Sequence, residues 1–126
     1  MLKEQETMQG HRHKLIRRNL MINITFKPET LEMEIEGHSG HGEKGKDIVC
    51  SAISSLFYTL GEAIYQSKAM LVEEPIFKDE EGKGYLCCKP KEEYAGNIAR
   101  SYWTILVGME MVADNYPKHV TLKVGG

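Results

Sequence analysis

Residues 36–56 read EGHSGHGEKGKDIVCSAISSL, and the rest of the chain is organised around this stretch. A glycine-rich segment that carries His38 and His41 leads into Asp47, and Cys50 follows one helical turn later. After Cys50 the apolar residues recur with the period of an α-helix. Two histidines therefore precede a cysteine at the start of a predicted helix, an arrangement typical of a cysteine nucleophile and its base.

The predicted position of Cys50 favours its thiolate. Asp47 is a good N-cap residue, which places Cys50 in the first helical turn. Unpaired backbone N–H groups and the positive end of the helix dipole stabilise negative charge there, and the thiolate is the reactive form of cysteine. The Asp47 carboxylate opposes this effect, and a protonated imidazole of His38 or His41 would offset it.

The apolar face predicted for this helix stops short of Cys50. At about 100° per residue, one half of the helical wheel is filled by Ile48, Val49, Ala52, Ile53, Leu56, Phe57, Leu60 and Ile64. Cys50 lies just past the edge of that face, and Ser54 lies one turn further along the same edge. We therefore expect Cys50 to be reached from a cleft.

The segment before the helix is predicted to be a flexible, substrate-gated loop. Glycine permits backbone conformations that are closed to other residues, and mobile loops of this kind become ordered when substrate binds. The loop comprises Ser39, Gly40, His41, Gly42 and Gly45, and Gly37 precedes it.

Other kinds of site fit these residues less well. The glycine spacing departs from the G-x-x-x-x-G-K-[ST] pattern of a phosphate-binding loop. A zinc site built on Cys50, His38 and His41 would need a fourth ligand, and the chain has no C-x-x-C or C-x-x-H pair to supply it. The lack of C-x-x-C also argues against a thiol redox protein. We expect neither a metal nor another cofactor.

The motif resembles that of the ribosomal-processing cysteine protease Prp family. The resemblance rests on Gly37 and His38, on the glycine-rich loop, and on the segment GKDIVC at 45–50 with Ser54 in the following helix. It covers most of the chain, from residue 21 to about residue 124. It implies that Cys50 is the nucleophile and His38 the general base.

The resemblance also implies roles for the neighbouring residues. Asp47, Ser54 and Gly37 match motif positions that support the site, and His41 is the less favoured base. Asp47 either orients His38 or caps the helix. In the mechanism expected from these roles, backbone N–H groups of the first helical turn, helped by Ser54, stabilise the oxyanion.

Members of the family that this chain resembles remove a short N-terminal extension from large-subunit ribosomal protein twenty-seven, a step of ribosome assembly. They cleave after a pair of aromatic residues and are homodimers. The resemblance therefore implies a cytoplasmic endopeptidase with this peptide as its partner. The alternative is a non-catalytic, ribosome-associated binding module that uses the same motif for folding or assembly.

Composition limits the remaining possibilities. The chain has 126 residues, enough for one domain with a proper core, and 41% of them are hydrophobic and 27% charged. A net charge of −2 gives no electrostatic reason to expect direct nucleic-acid binding. Three cysteines do not make a disulfide framework, which indicates a reducing cytosol. The absence of a run of eighteen apolar residues predicts no membrane span.

Two segments are predicted from charge and patterning. Residues 1–20 are basic, with few apolar residues and no signal-peptide core, and are expected to be a disordered tail. Residues 21–126 form the protease-like domain. Alternation and helical periodicity predict strands around 22–26, 31–35, 75–78, 85–89 and 120–124, with helices over about 47–68 and 92–115.

This order is ββαββαβ, an α/β (α+β) two-layer domain with two helices packed on a sheet. Cys87 and Cys88 fall on a strand, where neighbours face opposite sides, so at most one is buried and both are interpreted as structural. The second helix is apolar on two sides, and its second side carries Trp103, Val107 and Met111. That side predicts either a wide core contact or the interface of a dimer.

Overall fold

The seven predicted elements form in the predicted order. The computed structural model describes residues 21–37 and 44–125, with side chains from residue 48 onward in the second range. The elements are β1 (Ile22–Lys27), β2 (Glu32–Glu36), α1 (Lys44–Gln66), β3 (Ile76–Glu80), β4 (Lys83–Cys87), α2 (Ala95–Asn115) and β5 (Val120–Val124). Single 3₁₀ turns over Lys68–Met70 and Glu92–Tyr94 follow α1 and precede α2.

The five strands form one mixed sheet in the order β3-β4-β2-β1-β5. Both hairpins, β1–β2 and β3–β4, are antiparallel, and β2 joins them by pairing antiparallel with β4. The β5 strand pairs parallel with β1, as the crossover through α2 requires. The fold is thus the expected α+β arrangement of two helices on a sheet.

Alternation along the strands directs one face of the sheet toward the helices. The buried strand residues include Ile22, Ile24, Phe26, Met33, Ile35 and Leu86. The opposite face is polar and carries pairs such as Lys83–Glu36 (3.6 Å) and Lys27–Glu32 (3.9 Å). Charged pairs of this kind on an exposed face contribute little to stability, so the free energy of folding comes mainly from the helix-covered face.

The first helix starts earlier than predicted. It begins at Lys44 and ends at Gln66, whereas the sequence pattern predicted about 47–68. Asp47 is therefore a helical residue, and its assignment as the N-cap was wrong. An N-cap side chain stabilises a helix by about 1 kcal/mol, and this preference is outweighed where preceding residues can add further backbone hydrogen bonds. Gly45 is also helical, which corrects its placement in the loop.

Length and composition alone would allow α1 to cross a membrane. The segment Ile48–Gln66 has a mean hydropathy of 1.4. In this fold, however, the apolar side chains of α1 pack into the core of the domain. The buried ones are Val49, Ile53, Phe57, Leu60 and Ile64. The same composition is typical of a core helix.

The second helix packs beside α1 and over β1. Ile98, Tyr102, Leu106 and Met109 are buried, and the Phe26 ring stacks on Tyr102 at 5.3 Å between ring centroids. A side chain at Gly108 would meet Leu56 of α1 at 3.0 Å, so the two helices approach closely there. As predicted, Trp103, Val107 and Met111 lie on a second side, and all three are exposed.

The turn between β3 and β4 is shorter than predicted. Residues 79–84 were expected to form the turn and 85–89 the return strand, but pairing continues to Glu80 opposite Lys83. Only Glu81 and Gly82 connect the strands, and Gly82 has φ +79°. A turn with positive φ at its second central residue favours glycine at that position, and Gly82 supplies it. Cys88 is buried and Cys87 half-buried, as the alternation predicted.

Candidate active site

Gly37 follows the last residue of β2 and lies next to the start of β1, immediately before His38. Its φ is +96°, in the region that favours glycine. Its N–H donates to the carbonyl oxygen of Gly82 at 2.9 Å, and a Cβ atom at this position would collide with the carbonyl oxygen of Met21. The backbone before His38 is therefore held between two neighbouring segments in a conformation that only glycine tolerates well.

The predicted base and most of the predicted loop fall between the two described ranges. His38, Ser39, Gly40, His41 and Gly42 lie outside the described residues. Their assignments as base and flexible loop therefore stay predictions. Asp47 belongs to α1, and its side chain also lies outside the described part of the chain.

Cys50 occupies the second turn of α1. It follows the first helical residue, Lys44, by six positions, whereas the capping role of Asp47 had predicted the first turn. Backbone N–H groups beyond the first turn are bonded within the helix. The expectation that free first-turn N–H groups stabilise the Cys50 thiolate and an oxyanion was therefore wrong.

Cys50 is also more buried than predicted. Its exposed fraction is 8%, and it belongs to the hydrophobic core, whereas Ile48 is 62% exposed. Taking about 100° per residue, the centre of the buried face of α1 lies roughly 60° from Cys50 and roughly 140° from Ile48. The sequence pattern placed the centre of the apolar face too close to Ile48. Cys50 lies on the other side of that centre from Ile48, within the face that is buried.

Ser54 follows Cys50 by one turn on the same flank of α1, and it is half-buried. This flank faces β3 and β4. Phe57 lies over β4, where a side chain at Gly84 would meet its ring at 2.7 Å, and Phe77 of β3 stacks on Phe57 at 5.0 Å. The flank that carries Cys50 and Ser54 is thus continued by aromatic side chains.

The continuation of this flank along α1 was not predicted from the sequence. Tyr58, Gly61 and Tyr65 continue the four- and three-residue steps that begin with Cys50 and Ser54. These steps place all five residues on one side of a helix. The spacing was visible in the sequence, but the aromatic partner, Phe77, comes from a strand and could be placed only by the fold.

The other two thiols lie away from Cys50, at the far end of β4. Tyr102 donates a hydrogen bond to Cys88 Sγ at 3.6 Å, and burial raises the pKa of the Cys88 thiol. Cys87 Sγ lies 3.8 Å from the Thr30 carbonyl oxygen. Within residues 21–37 and 44–125, no three His, Cys, Asp or Glu side chains are arranged to hold a metal ion.

Comparison with known proteins supports the resemblance noted from the motif. The family model for cysteine protease Prp matches residues 21–121. The chain is 23% identical over 105 residues to the ribosomal processing cysteine protease Prp of Staphylococcus aureus, covering 82% of this chain and 96% of that protein. It is 29% identical over 102 residues to that of Mycoplasma genitalium, covering 81% and 94%.

Solved structures show the same fold. A crystal structure of a Streptococcus mutans protein superposes with a TM-score of 0.66 at 26% identity, covering 86% of this chain and 97% of that one. The structure of S. aureus Prp in complex with a substrate peptide gives a TM-score of 0.62 at 21% identity, with 82% and 97% covered. Because the family model covers residues 21–121, which include both helices and Cys50, the chain belongs to the cysteine protease Prp family.

Proposed function

We propose that the protein is a cytoplasmic endopeptidase that removes the N-terminal extension of large-subunit ribosomal protein twenty-seven. The observation that carries this proposal is the family match over residues 21–121, which includes the segment from Gly37 to Cys50. The relatives are named ribosomal processing proteases, which supports a ribosomal substrate. No cofactor is required by the chemistry.

The proposed reaction uses Cys50 as the nucleophile and His38 as the base. His38 takes the Cys50 proton, and the thiolate attacks the scissile carbonyl carbon to form a tetrahedral oxyanion. Collapse of that intermediate breaks the C–N bond while the imidazolium protonates the leaving amine. Water then attacks the thioester with His38 again as base, which releases the second peptide and the Cys50 thiol.

Asp47, Ser54 and Gly37 are proposed to support the reaction, and the position at which α1 begins limits the role of Asp47. Since α1 already begins at Lys44, Asp47 does not cap it, which leaves orientation of His38 as its proposed role. Ser54, one turn from Cys50 on the same flank, is proposed to help stabilise the oxyanion. Gly37 sets the backbone direction before His38 through its positive φ.

The decisive experiment is cleavage of a peptide that spans the ribosomal protein's N-terminal extension, read by mass spectrometry. Wild type should cut once, after the aromatic pair, and Cys50→Ala should not cut. Cys87→Ala is the matched control, because it removes a half-buried thiol far from the site and should cut at the wild-type rate. Full cleavage by Cys50→Ala would refute the assignment of the nucleophile.

The base and the alternative function are tested with the same reagents. His38→Ala should lower kcat by at least about 100-fold, the usual contribution of a general base, and a normal rate would move the role to His41. A non-catalytic binding module predicts no cleavage. It also predicts that Cys50, which is 8% exposed, is alkylated as slowly as Cys88.

We also propose that the protein acts as a homodimer. Trp103, Val107 and Met111 lie on one side of α2, and each remains at least 44% exposed. Exposed apolar surface of this kind is typical of an association site. The family resemblance favours a second copy of the chain as the partner.

A further inference from the structure

A groove lies between α1 and the edge strand β3, on the same flank of α1 as Cys50. Its volume is about 610 Å³, and it is lined by Tyr58, Gly61, Glu62, Tyr65, Pro75, Phe77 and Leu86. Tyr58 and Tyr65 are 46% and 53% exposed, and Phe77 is 39% exposed. We call it the aromatic groove.

Contacts among the aromatic side chains fix the shape of the groove. The Phe77 ring packs face to face on Phe57 at 5.0 Å and tilted against Tyr58 at 5.9 Å. A side chain at Gly61 would meet the Phe77 ring at 2.5 Å, so glycine there makes room for that ring. The aromatic side chains are held by one another, which lowers the entropy cost of binding an apolar side chain between them.

One wall of the groove is also the terminal strand of the sheet that the described residues form. β3 is the terminal strand of the sheet and pairs only with β4 among the described strands. All five of its residues are exposed. An edge strand offers unpaired N–H and C=O groups, to which an extended peptide can add by β-pairing while its alternate side chains enter adjacent pockets.

Charge selects the kind of peptide. Glu62 is the charged side chain among the described residues that line the groove. Lys68, one turn beyond the groove, lies over the Tyr65 ring at 4.4 Å and is paired with Glu74 at 3.7 Å. The charge that lines the groove is therefore negative, which favours a peptide with basic residues beside its apolar ones.

The groove lies within reach of a peptide held at Cys50. Along α1, Tyr58 and Tyr65 are about 12 Å and about 22 Å beyond Cys50 at 1.5 Å per residue. An extended chain covers these distances with roughly four to seven residues. We propose that the aromatic groove and the β3 edge bind an extended, apolar and basic segment of the substrate, roughly four to seven residues from the scissile bond. This inference rests on the proposed function, because it makes the groove a second contact for the same substrate.

The test compares peptides of different length. A minimal peptide has about three residues on each side of the scissile bond, and two longer ones extend it by about eight residues on the N-terminal or the C-terminal side. One longer peptide should be cut with a kcat/KM about tenfold higher than the minimal one, as expected for an aromatic binding hot spot. Tyr58→Ala and Tyr65→Ala should each remove most of this tenfold difference in kcat/KM between the longer and the minimal peptide. Tyr116→Ala, which removes an exposed tyrosine elsewhere, should keep it.

Binding separates this inference from the proposed function. The same peptides, labelled with fluorescein, are titrated by anisotropy against Cys50→Ala and against Cys50→Ala combined with Tyr65→Ala. The inference predicts that one longer peptide binds Cys50→Ala more tightly than the minimal peptide does, and that adding Tyr65→Ala weakens this binding about tenfold. That result would support peptide binding in the aromatic groove even if wild type cuts nothing and the proposed function fails. Two results would overturn the inference even if cleavage is observed. One is that Cys50→Ala binds all three peptides with equal affinity. The other is that the double variant binds them with the same affinities as Cys50→Ala.

Discussion

Gly37 shows how one residue shapes the candidate site. It combines a φ of +96° with a position where a Cβ atom would collide with the Met21 carbonyl oxygen. Either feature disfavours any other residue. Because Gly37 directly precedes His38, its conformation sets the direction in which the chain leaves the sheet toward the proposed base.

Gly37→Ala should destabilise the protein by at least about 2 kcal/mol, since the positive φ and the steric conflict both add cost. Gly96→Ala is the matched control, because Gly96 lies in α2 and a Cβ atom added there would meet nothing within 4 Å. That control should raise stability by about 0.5–1 kcal/mol through helix propensity. Urea unfolding measures both changes, and an unchanged free energy of unfolding for Gly37→Ala would contradict this account.

The two adjacent thiols at the end of β4 should differ in reactivity. Cys88 is buried, and its burial raises the pKa of the thiol, whereas Cys87 is half-buried. Because the thiolate is the species that is alkylated, native protein treated with iodoacetamide at neutral pH should be modified at Cys87 well before Cys88. Peptide mass mapping over time gives the two rates. Equal rates in native protein would show that Cys88 is not protected by the core.

At the scale of elements, a hydrogen bond joins β2 and β4 on the exposed face of the sheet. Tyr85 donates to Glu32 at 2.8 Å, and Thr30 donates to the same carboxylate at 3.0 Å. These two bonds, that of Tyr85 first, hold the pKa of Glu32 below its ordinary value. The bond to Glu32 and burial also raise the pKa of Tyr85, so the phenol keeps its proton.

The stability contributed by this pair should depend on pH. Because the pKa of Glu32 is lowered in the folded state, its contribution is complete above the ordinary glutamate value of about 4.3 and is lost as pH falls through the folded value. Tyr85→Phe should therefore reduce the free energy of unfolding more at pH 7 than at pH 3. Urea unfolding at both pH values measures the difference, with Tyr116→Phe as control. An equal effect of Tyr85→Phe at both values would exclude the linkage.

At the scale of the molecule, the outer side of α2 presents the exposed apolar surface on which the homodimer proposal rests. Trp103 packs edge-on against Phe26 at 5.3 Å, which fixes its orientation while leaving it 44% exposed. Val107 and Met111 continue this apolar surface by one turn each. A charge placed in the middle of such a surface would be buried without a partner on association, at a cost of several kcal/mol.

Val107→Glu should therefore convert a dimer into a monomer without changing the fold. Sedimentation equilibrium gives the mass, and circular dichroism checks the fold. Val72→Glu is the matched control, because Val72 is an exposed valine in the segment between α1 and β3 and does not belong to α2. It should leave the dimer intact. A wild-type protein that is monomeric at all concentrations tested would refute the homodimer proposal.

Local patterns in the sequence predicted most of the architecture. Alternating residues such as Ile22, Ile24 and Phe26 identified the strands, and helical spacing identified both helices, because these periods follow from backbone geometry alone. The errors lie at boundaries and orientations. The start of α1, the length of the β3–β4 turn and the burial of Cys50 all depend on competition between local preferences and packing.

The sequence by itself determined the order ββαββαβ, the family motif at residues 37–50 and the apolar second side of α2, since each depends on residue type and spacing along the chain. Only the tertiary structure decided the strand order, the rotation of α1 that buries Cys50 and exposes Ile48, and the meeting of Phe77 with Tyr58 and Gly61. These features join residues that are distant in sequence, and their geometry is set by close packing of whole elements. The aromatic groove therefore became visible only when β3 was placed beside α1.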